Sequence, residues 1–523
     1  MGLYKKVGIA SLILMISVFL SRVIGLFREM VIAYAAGAGA PVDAYQVAFI
    51  IPEILNHMLA SGFLSVTFIP IFSAYTAKGE EDRGWEVFSI ILTTFGSLLI
   101  LFILLSSFLA PQLIQILAPG MDDPARIAEA VRMTRIILPA QFFFFTGGLL
   151  MAVQFAKEKF AVPALAPLLY NLGIILGGIL LSEKIGMEGF SWGVLGGAFA
   201  GNFAVQICGA RKAGMKFCFI FDFSHPDLRK YIRLSLPLMV GLTMSFSTEI
   251  FLKYFGSYLP EGSIASLNYG LRIMFVLVGF FGQAAGMASF PFMARLAAEN
   301  QIEEMNRLLN TTLRWLALVI PFSLLFMVLR YEIVRILFQR GQFDETATEI
   351  TAHVLIFLLI GTFAYTAQTV VVRGYYAMQN TLFPAIFGSL GVLLSLPFYW
   401  LGMQKMGISG VALAVSFSAI LQVWLLYGLW NRRTRNSGSR EVYFFYLKMG
   451  GMSMALGAGL EFFRRALSEG INTATLSGSM TSAAIIGSSF LMLFPLAGYL
   501  LGIREIPEFM KKMRDRLLRK GRE

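Results

Sequence analysis

Cysteine, histidine and charge are all scarce in this chain. Two cysteines, Cys208 and Cys218, cannot build a disulfide framework. Three histidines, His57, His225 and His353, lie too far apart in sequence to form a clustered metal site, so neither metal nor cofactor is expected. Charged residues are 14% of the sequence, against about 25% in soluble globular proteins. No glycine-rich phosphate cradle and no nucleophile motif is found, which argues against ATP-driven work and against an enzyme. Long polar stretches are missing too, which leaves no room for a sizeable soluble domain.

Apolar residues fill the space. They are 57% of 523 residues, with 48 Phe and 26 Met. One soluble core cannot hide so much apolar surface, so lipid must be the solvent for most of the chain. That excludes a soluble enzyme, a nucleic-acid binder and a disordered regulator. A bilayer crossing needs about 20 mostly apolar residues. Fourteen such runs are expected, near 8–34, 43–75, 86–117, 128–156, 162–182, 188–209, 232–258, 264–295, 308–331, 347–373, 382–402, 408–430, 443–463 and 478–502. The fold class is therefore an all-α polytopic membrane protein with 14 transmembrane helices. Lys5 and Lys6 precede an apolar run as in a signal peptide, but the run continues through Arg22 without a clean cleavage site. A retained first helix is expected.

Orientation follows from lysine and arginine. Alternate segments hold Lys5, Lys6, Lys78, Arg83, Lys157, Lys159, Arg211, Lys212, Lys216, Arg229, Lys230, Arg432, Arg433, Arg435, Arg440 and the basic residues of the tail. The opposite segments hold only Arg126, Lys184, Arg335, Arg340, Lys405, Arg464 and Arg465. The richer side is the inside, so both termini are expected in the cytoplasm. The net charge of +12 then belongs to inner loops and calls for no nucleic-acid partner. The tail is either a basic helix lying on the membrane or a solvated extension.

The chain also repeats itself. A shift of 221 residues brings Pro70 onto Pro291, Pro163 onto Pro384, Gly120 onto Gly341 and Gly189 onto Gly410. The same shift brings Lys184-Ile185-Gly186 onto Lys405-Met406-Gly407. Spans 1–6 and 7–12 therefore read as two copies of one unit, with spans 13–14 added. An even number of spans per copy makes the copies parallel. The expected domains are a first six-helix lobe at 1–210, a cytoplasmic linker at 211–231, a second lobe at 232–431, the two extra helices at 432–503 and a basic tail at 504–523. Two such lobes around a central cavity suit a transporter working by alternating access.

Charge inside a span is costly and faces a partner or a cavity. Span 1 carries Ser21, Arg22, Arg28 and Glu29. The two arginines point about 120° apart and share one cavity only if the helix bends at Gly25. Otherwise Arg28 marks a boundary or pairs with Glu29. Span 2 carries Gln46, Glu53, His57 and Ser61 at helical spacing, with Pro52 just before Glu53. Glu53 is either a proton or cation site or, as the favoured reading, the partner of an arginine, and His57 either lines the cavity or is a satisfied core histidine. In span 7, Glu249 and Lys253 are four apart and predict a structural ion pair. Arg272 in span 8 has no acidic neighbour in sequence, whereas Arg373 in span 10 reads as a positive-inside residue. Arg28 falls on Glu249 in the repeat, so the scaffold repeats and the charge does not. Arg22, Arg28 and Arg272 are the expected substrate-facing cations. A guanidinium fork bonds phosphate bidentately, so the expected cargo is anionic and phosphorylated.

The run from Ser21 to Glu29 (SRVIGLFRE) is followed by Gly37-Ala38-Gly39, Asp43-Ala44-Tyr45 and Phe49-Ile50-Ile51-Pro52. With Ala60-Ser61-Gly62-Phe63, Phe68-Ile69-Pro70 and Asn268-Tyr269-Gly270-Leu271-Arg272, it resembles the MurJ/MviN lipid II flippases of the multidrug/oligosaccharidyl-lipid/polysaccharide exporter superfamily. The resemblance implies transport of undecaprenyl-diphosphate-linked peptidoglycan precursor to the outer leaflet of the bacterial cytoplasmic membrane. It implies that Arg22, Arg28 and Arg272 serve the diphosphate, with Asp43, Glu53, Asn56, His57 and Ser61 completing the cavity. It also implies that spans 13–14 guide the lipid tail, and that partners include the bilayer and cell-wall synthesis proteins. Relatives often carry charge at the positions of Asn56, His57 and Ser61, which keeps a flippase for another polyprenyl-linked glycan as an alternative. A multidrug exporter of the same superfamily would want an acidic cavity. A membrane glycosyltransferase would want a catalytic carboxylate in an outer loop, where Asp122, Asp123, Asp344 and Glu345 are found.

Overall fold

The computed structural model describes residues 3–60, 63–245, 247–503 and 505–506. Within lipid every backbone amide must be satisfied by its own segment or a closed barrel, and the described residues answer with helices and no strand. In chain order these are α1 (Leu3–Ala36), α2 (Ala40–Ala48), α3 (Ile50–Leu55), α4 (Phe63–Ala77), α5 (Glu81–Phe108), α6 (Ala110–Leu117), α7 (Pro124–Ile137), α8 (Ala140–Ala156), α9 (Ala166–Ile185), α10 (Glu188–Ala198) and α11 (Val205–Lys212). They continue as α12 (Pro226–Ser245), α13 (Ser247–Gly256), α14 (Ser263–Val278), α15 (Ala284–Ala298), α16 (Ile302–Leu316), α17 (Val319–Val328), α18 (Arg330–Phe338), α19 (Glu345–Ile360), α20 (Thr362–Ala377), α21 (Leu382–Thr434), α22 (Ser439–Gly470) and α23 (Leu476–Leu500). Wider π turns interrupt the ladder at Asn56–Ala60, Phe199–Ala204 and Gly279–Gln283.

Among the described residues, eight helical stretches are long and apolar enough to cross a membrane, and the bent pair α19–α20 makes a ninth. Span 2 was expected as one run but is divided into α2, α3, a π turn and α4. Its average composition concealed these breaks. The 53-residue α21 contains two arms. Ser395 Oγ bonds Ser418 Oγ at 3.0 Å, although 23 residues of straight helix would separate them by about 35 Å. The chain doubles back at Gly407, whose φ of 57° and ψ of −131° suit only glycine.

Two compact units are present. One comprises Met1–Ala265 with Arg340–Phe343, the other Ser266–Gln339 with Asp344–Glu523. The segment expected to open the second lobe packs in the first unit. There α12 lies against α4 and α5, with Ser235 Oγ 3.4 Å from Thr67 Oγ1. The short segment Arg340–Phe343 joins the first unit through Gln342 N, which donates to Tyr34 O at 2.9 Å.

The repeat is visible in the backbone. Helices α4 and α15 begin and end 221 residues apart, each with its proline inside. Left-handed residues recur at the same interval as Gly79 and Asn300, Glu158 and Gln379, Gly186 and Gly407, Gly214 and Arg435. Asp123 caps α7 by accepting from Ala125 N at 2.9 Å, and Asp344 caps α19 by accepting from Ala347 N at 2.8 Å. Two of the acids expected in outer loops are thus helix caps, and a third, Glu345, pairs with Arg335. In the first copy α9 and α10 meet backbone to backbone. A Cβ on Gly177 would stand 2.7 Å from Gly193 N, and one on Gly197 would stand 2.6 Å from Tyr170 O. In the second unit the extra helices are tied by charge. Buried Glu332 of α18 accepts from Ser482 Oγ of α23 at 3.1 Å and lies 3.7 Å from Arg464 of α22.

Candidate functional site

The polar residues of α1 do not share one face. The helix runs unbroken through Gly25, so the hinge needed to bring Arg22 and Arg28 together is not formed. Arg22 is exposed. Arg28 turns inward against α9, where its Nη1 donates to Asn171 Oδ1 at 3.1 Å and its Nη2 to Glu29 Oε1 at 2.5 Å. Asn171 is itself fixed, donating to Pro167 O at 2.9 Å and lying 3.4 Å from Ser21 Oγ. Arg28 Nε is buried and has no hydrogen-bond acceptor among the described residues. An arginine with two donors engaged and one buried donor unused is incomplete, because a buried unsatisfied N–H carries a desolvation cost.

Asp43 in α2 has a different task from the one expected of a substrate ligand. Its Oδ2 accepts from Gly262 N at 2.6 Å and its Oδ1 from Ala265 N at 2.7 Å. Both oxygens cap the first turn of α14, where free N–H groups and the helix dipole favour a carboxylate. The carboxylate is therefore spent on backbone donors. It also borders a cavity of about 280 Å³ with Asp122, Arg126 and Glu261. Arg126 pairs with Asp123 and Glu261, so that cavity has its own counter-charge.

Glu53 and Lys253 form an ion pair within the first unit, with Nζ to Oε2 at 3.0 Å. The i, i+4 spacing predicted Glu249 as the partner of Lys253, and that pairing is replaced. Lys253 is 6% exposed at its side chain and turns toward α3. Glu53 is thus the partner of a cation, a lysine where an arginine was expected. Asn56 and His57 sit half-buried in the π turn beyond Pro52. The expected stripe from Gln46 is interrupted at Phe49, where α2 ends. Ser61 and the tail beyond residue 506 lie outside the described residues.

In the second unit Arg272 is half-buried on α14. Arg373 is more than a boundary charge. Its Nη2 donates to Gln283 Oε1 at 3.1 Å, and its Nη1 lies 3.4 Å from Gln283 O, at the end of a π turn. Gly286 gives the guanidinium its space, since a Cβ there would collide with it. Asn171 and Arg373 are the polar residues that sequence reasoning undervalued. Asn171 stands alone in an apolar run, a signal that could have marked it.

A sequence profile described as lipid II flippase MurJ matches residues 32–478. The chain belongs to the MurJ lipid II flippase family. Relatives extend over most of its length. A protein of Vibrio cholerae named "Probable lipid II flippase MurJ" is 27% identical over 513 residues, 94% of this chain and 97% of that one. A Burkholderia cenocepacia protein named "Lipid II flippase MurJ" is 26% identical over 84% of this chain and 87% of its own. Among solved structures, "Lipid II flippase MurJ, inward closed conformation" matches with a TM-score of 0.74 at 23% identity, covering 92% of this chain and 98% of that one. An inward-facing multidrug transporter of the MOP superfamily matches at 0.66 and 15% identity, covering 80% and 96%. At such identities these likenesses show the fold.

Proposed function

We propose that this chain moves lipid II, the undecaprenyl-diphosphate-linked peptidoglycan precursor, from the inner to the outer leaflet of a bacterial cytoplasmic membrane. The observation that carries the chemistry is Arg28, a part-buried guanidinium on an apolar helix whose buried Nε–H is unused. Family membership across 32–478 supplies the cargo. A diphosphate brings more charge and more acceptor oxygens than Glu29, so it can take over the Nη2 donor that Glu29 holds. Arg22 and Arg272 add charge, and His57 and Asn56 face the sugar. The reading includes fourteen crossings, two parallel six-helix lobes around a cavity, spans 13–14 as the groove for the lipid tail and both termini in the cytoplasm. Moving a bare diphosphate through hydrocarbon is prohibitive, so the headgroup travels inside the protein while the tail stays in lipid. The test is depletion of the protein in its host, followed by assay of which lipid-linked precursor collects on the inner leaflet. Accumulation of lipid II there supports the reading; a different lipid-linked glycan, or none, overturns it.

A further inference from the structure

Between α11 and α12, residues 215–222 form an irregular link bounded by turns at 213–214 and 223–224, with phenylalanine at every second position: Phe217, Phe219, Phe221 and Phe223. In an extended chain alternate side chains share a side. All four are exposed, Phe219 at 73% and Phe223 at 69%, and the Phe221 ring packs between those of Phe219 and Phe223, with centroids 5.1 and 6.2 Å away. Such a contiguous aromatic face is not left in water without a use.

The strap's depth is set by its attachments. Lys216 pairs with Asp82 at the start of α5, and Cys218 N donates to Ser89 Oγ at 3.2 Å. Ser89 lies about 12 Å along the helix from Glu81. It sits among Val87, Phe88, Ile90 and Ile91, beyond the last charge of that helix end, Glu86. The strap therefore descends beside the level where α5 becomes a membrane span. Exposed Arg211, Lys212, Arg229 and Lys230 flank it at the ends of α11 and α12. Ser224 donates to Asp222 through its hydroxyl and its N–H, and these bonds hold that carboxylate below its usual range. The acid is bound within its own turn.

We propose that this strap is an interfacial anchor whose four phenylalanines insert at the headgroup boundary while the flanking cations engage anionic phospholipid. Aromatic rings favour the membrane interface. Basic residues near an anionic leaflet add attraction that salt weakens. The inference rests only on the chain crossing a membrane and is independent of which lipid it transports.

The test uses the full-length protein with Cys208→Ser and Cys218→Ser, and single cysteines at 217 to 224 carrying nitroxide labels. Each is reconstituted into phosphatidylethanolamine vesicles with or without phosphatidylglycerol, without lipid II. Collision rates with oxygen and with a water-soluble nickel chelate report depth. Positions 217, 219, 221 and 223 should favour oxygen, and positions 218, 220, 222 and 224 the chelate. Omitting phosphatidylglycerol, or combining Arg229→Gln with Lys230→Gln, should shift the odd positions toward the chelate. Uniform chelate access along the strap overturns the proposal. Indifference to phosphatidylglycerol overturns its electrostatic half. Labels exposed in vesicles but shielded in native membranes would assign the stripe to a protein partner and overturn it as well. Retained monodispersity of each labelled protein separates these outcomes from misfolding.

Discussion

Arg28 holds Asn171 and Glu29 with two donors and keeps Nε in reserve. A hydrogen bond to a charged group contributes about 1.5–3 kcal/mol net, so Arg28→Ala should weaken diphosphate capture tenfold or more. Complementation of a flippase-deficient strain should fail at normal membrane levels. Arg28→Lys should rescue partly, because lysine keeps the charge and loses the fork. Normal growth with well-expressed Arg28→Ala would remove Arg28 from the mechanism. The Glu53–Lys253 pair makes a different kind of prediction. Removing one partner of a buried pair costs about 3–5 kcal/mol, and Glu53, 30% exposed, belongs at the low end. Lys253→Met should therefore lower thermal stability, Glu53→Gln/Lys253→Met should recover most of the loss, and Glu249→Gln should leave stability nearly unchanged. A double mutant no better than Lys253→Met alone would refute the pairing. Neither this pair nor the cap made by Asp43 was legible beforehand. Lys253 and Glu53 are 200 residues apart, and Asp43 serves a helix that begins 220 residues later. Local spacing saw only the neighbour four residues away.

At the level of elements, proline and glycine carried the readable information. Pro70 and Pro291, or Gly186 and Gly407, could be matched in sequence because each answers a backbone requirement that few residues meet. The partners Asn300, Gln379 and Arg435 could not, since their left-handed backbone leaves no mark on residue type. The π turn after Pro52 was hidden for a related reason: hydropathy averages over a break that changes geometry but not composition. The close packing of α9 on α10 gives a direct test. Gly193→Leu has backbone of Gly173 and Ile174 in its way, and overpacking costs about 1–3 kcal/mol. Gly196→Leu on the same helix meets open space. Unfolding temperature in detergent should fall for the first and hold for the second. Equal stability of the two would contradict the interface.

For the whole molecule, the apolar fraction and the placement of cations were enough to anticipate a multi-pass helical protein. The division into compact units was less accessible, because α12 and α13 follow their contacts with α4, α5 and α3 and not the repeat boundary. Orientation is open to measurement. A reporter fused after Arg440 should read cytoplasmic, and one inserted in the 118–127 loop should read external. Opposite signals at the two sites would invert the topology.

The reversal at Gly407 bears on how the chain is made. The two arms of α21 touch within a few residues of the turn, where a Cβ on Gly402 would lie 2.6 Å from Gly410 O. No soluble loop separates them, so a ribosome delivering the first arm has already committed the second. The insertion machinery meets a single hairpin, and releasing one arm sideways into lipid drags its neighbour along. A nascent chain stopped just after Gly407 should therefore remain unsettled in the membrane until its returning half emerges.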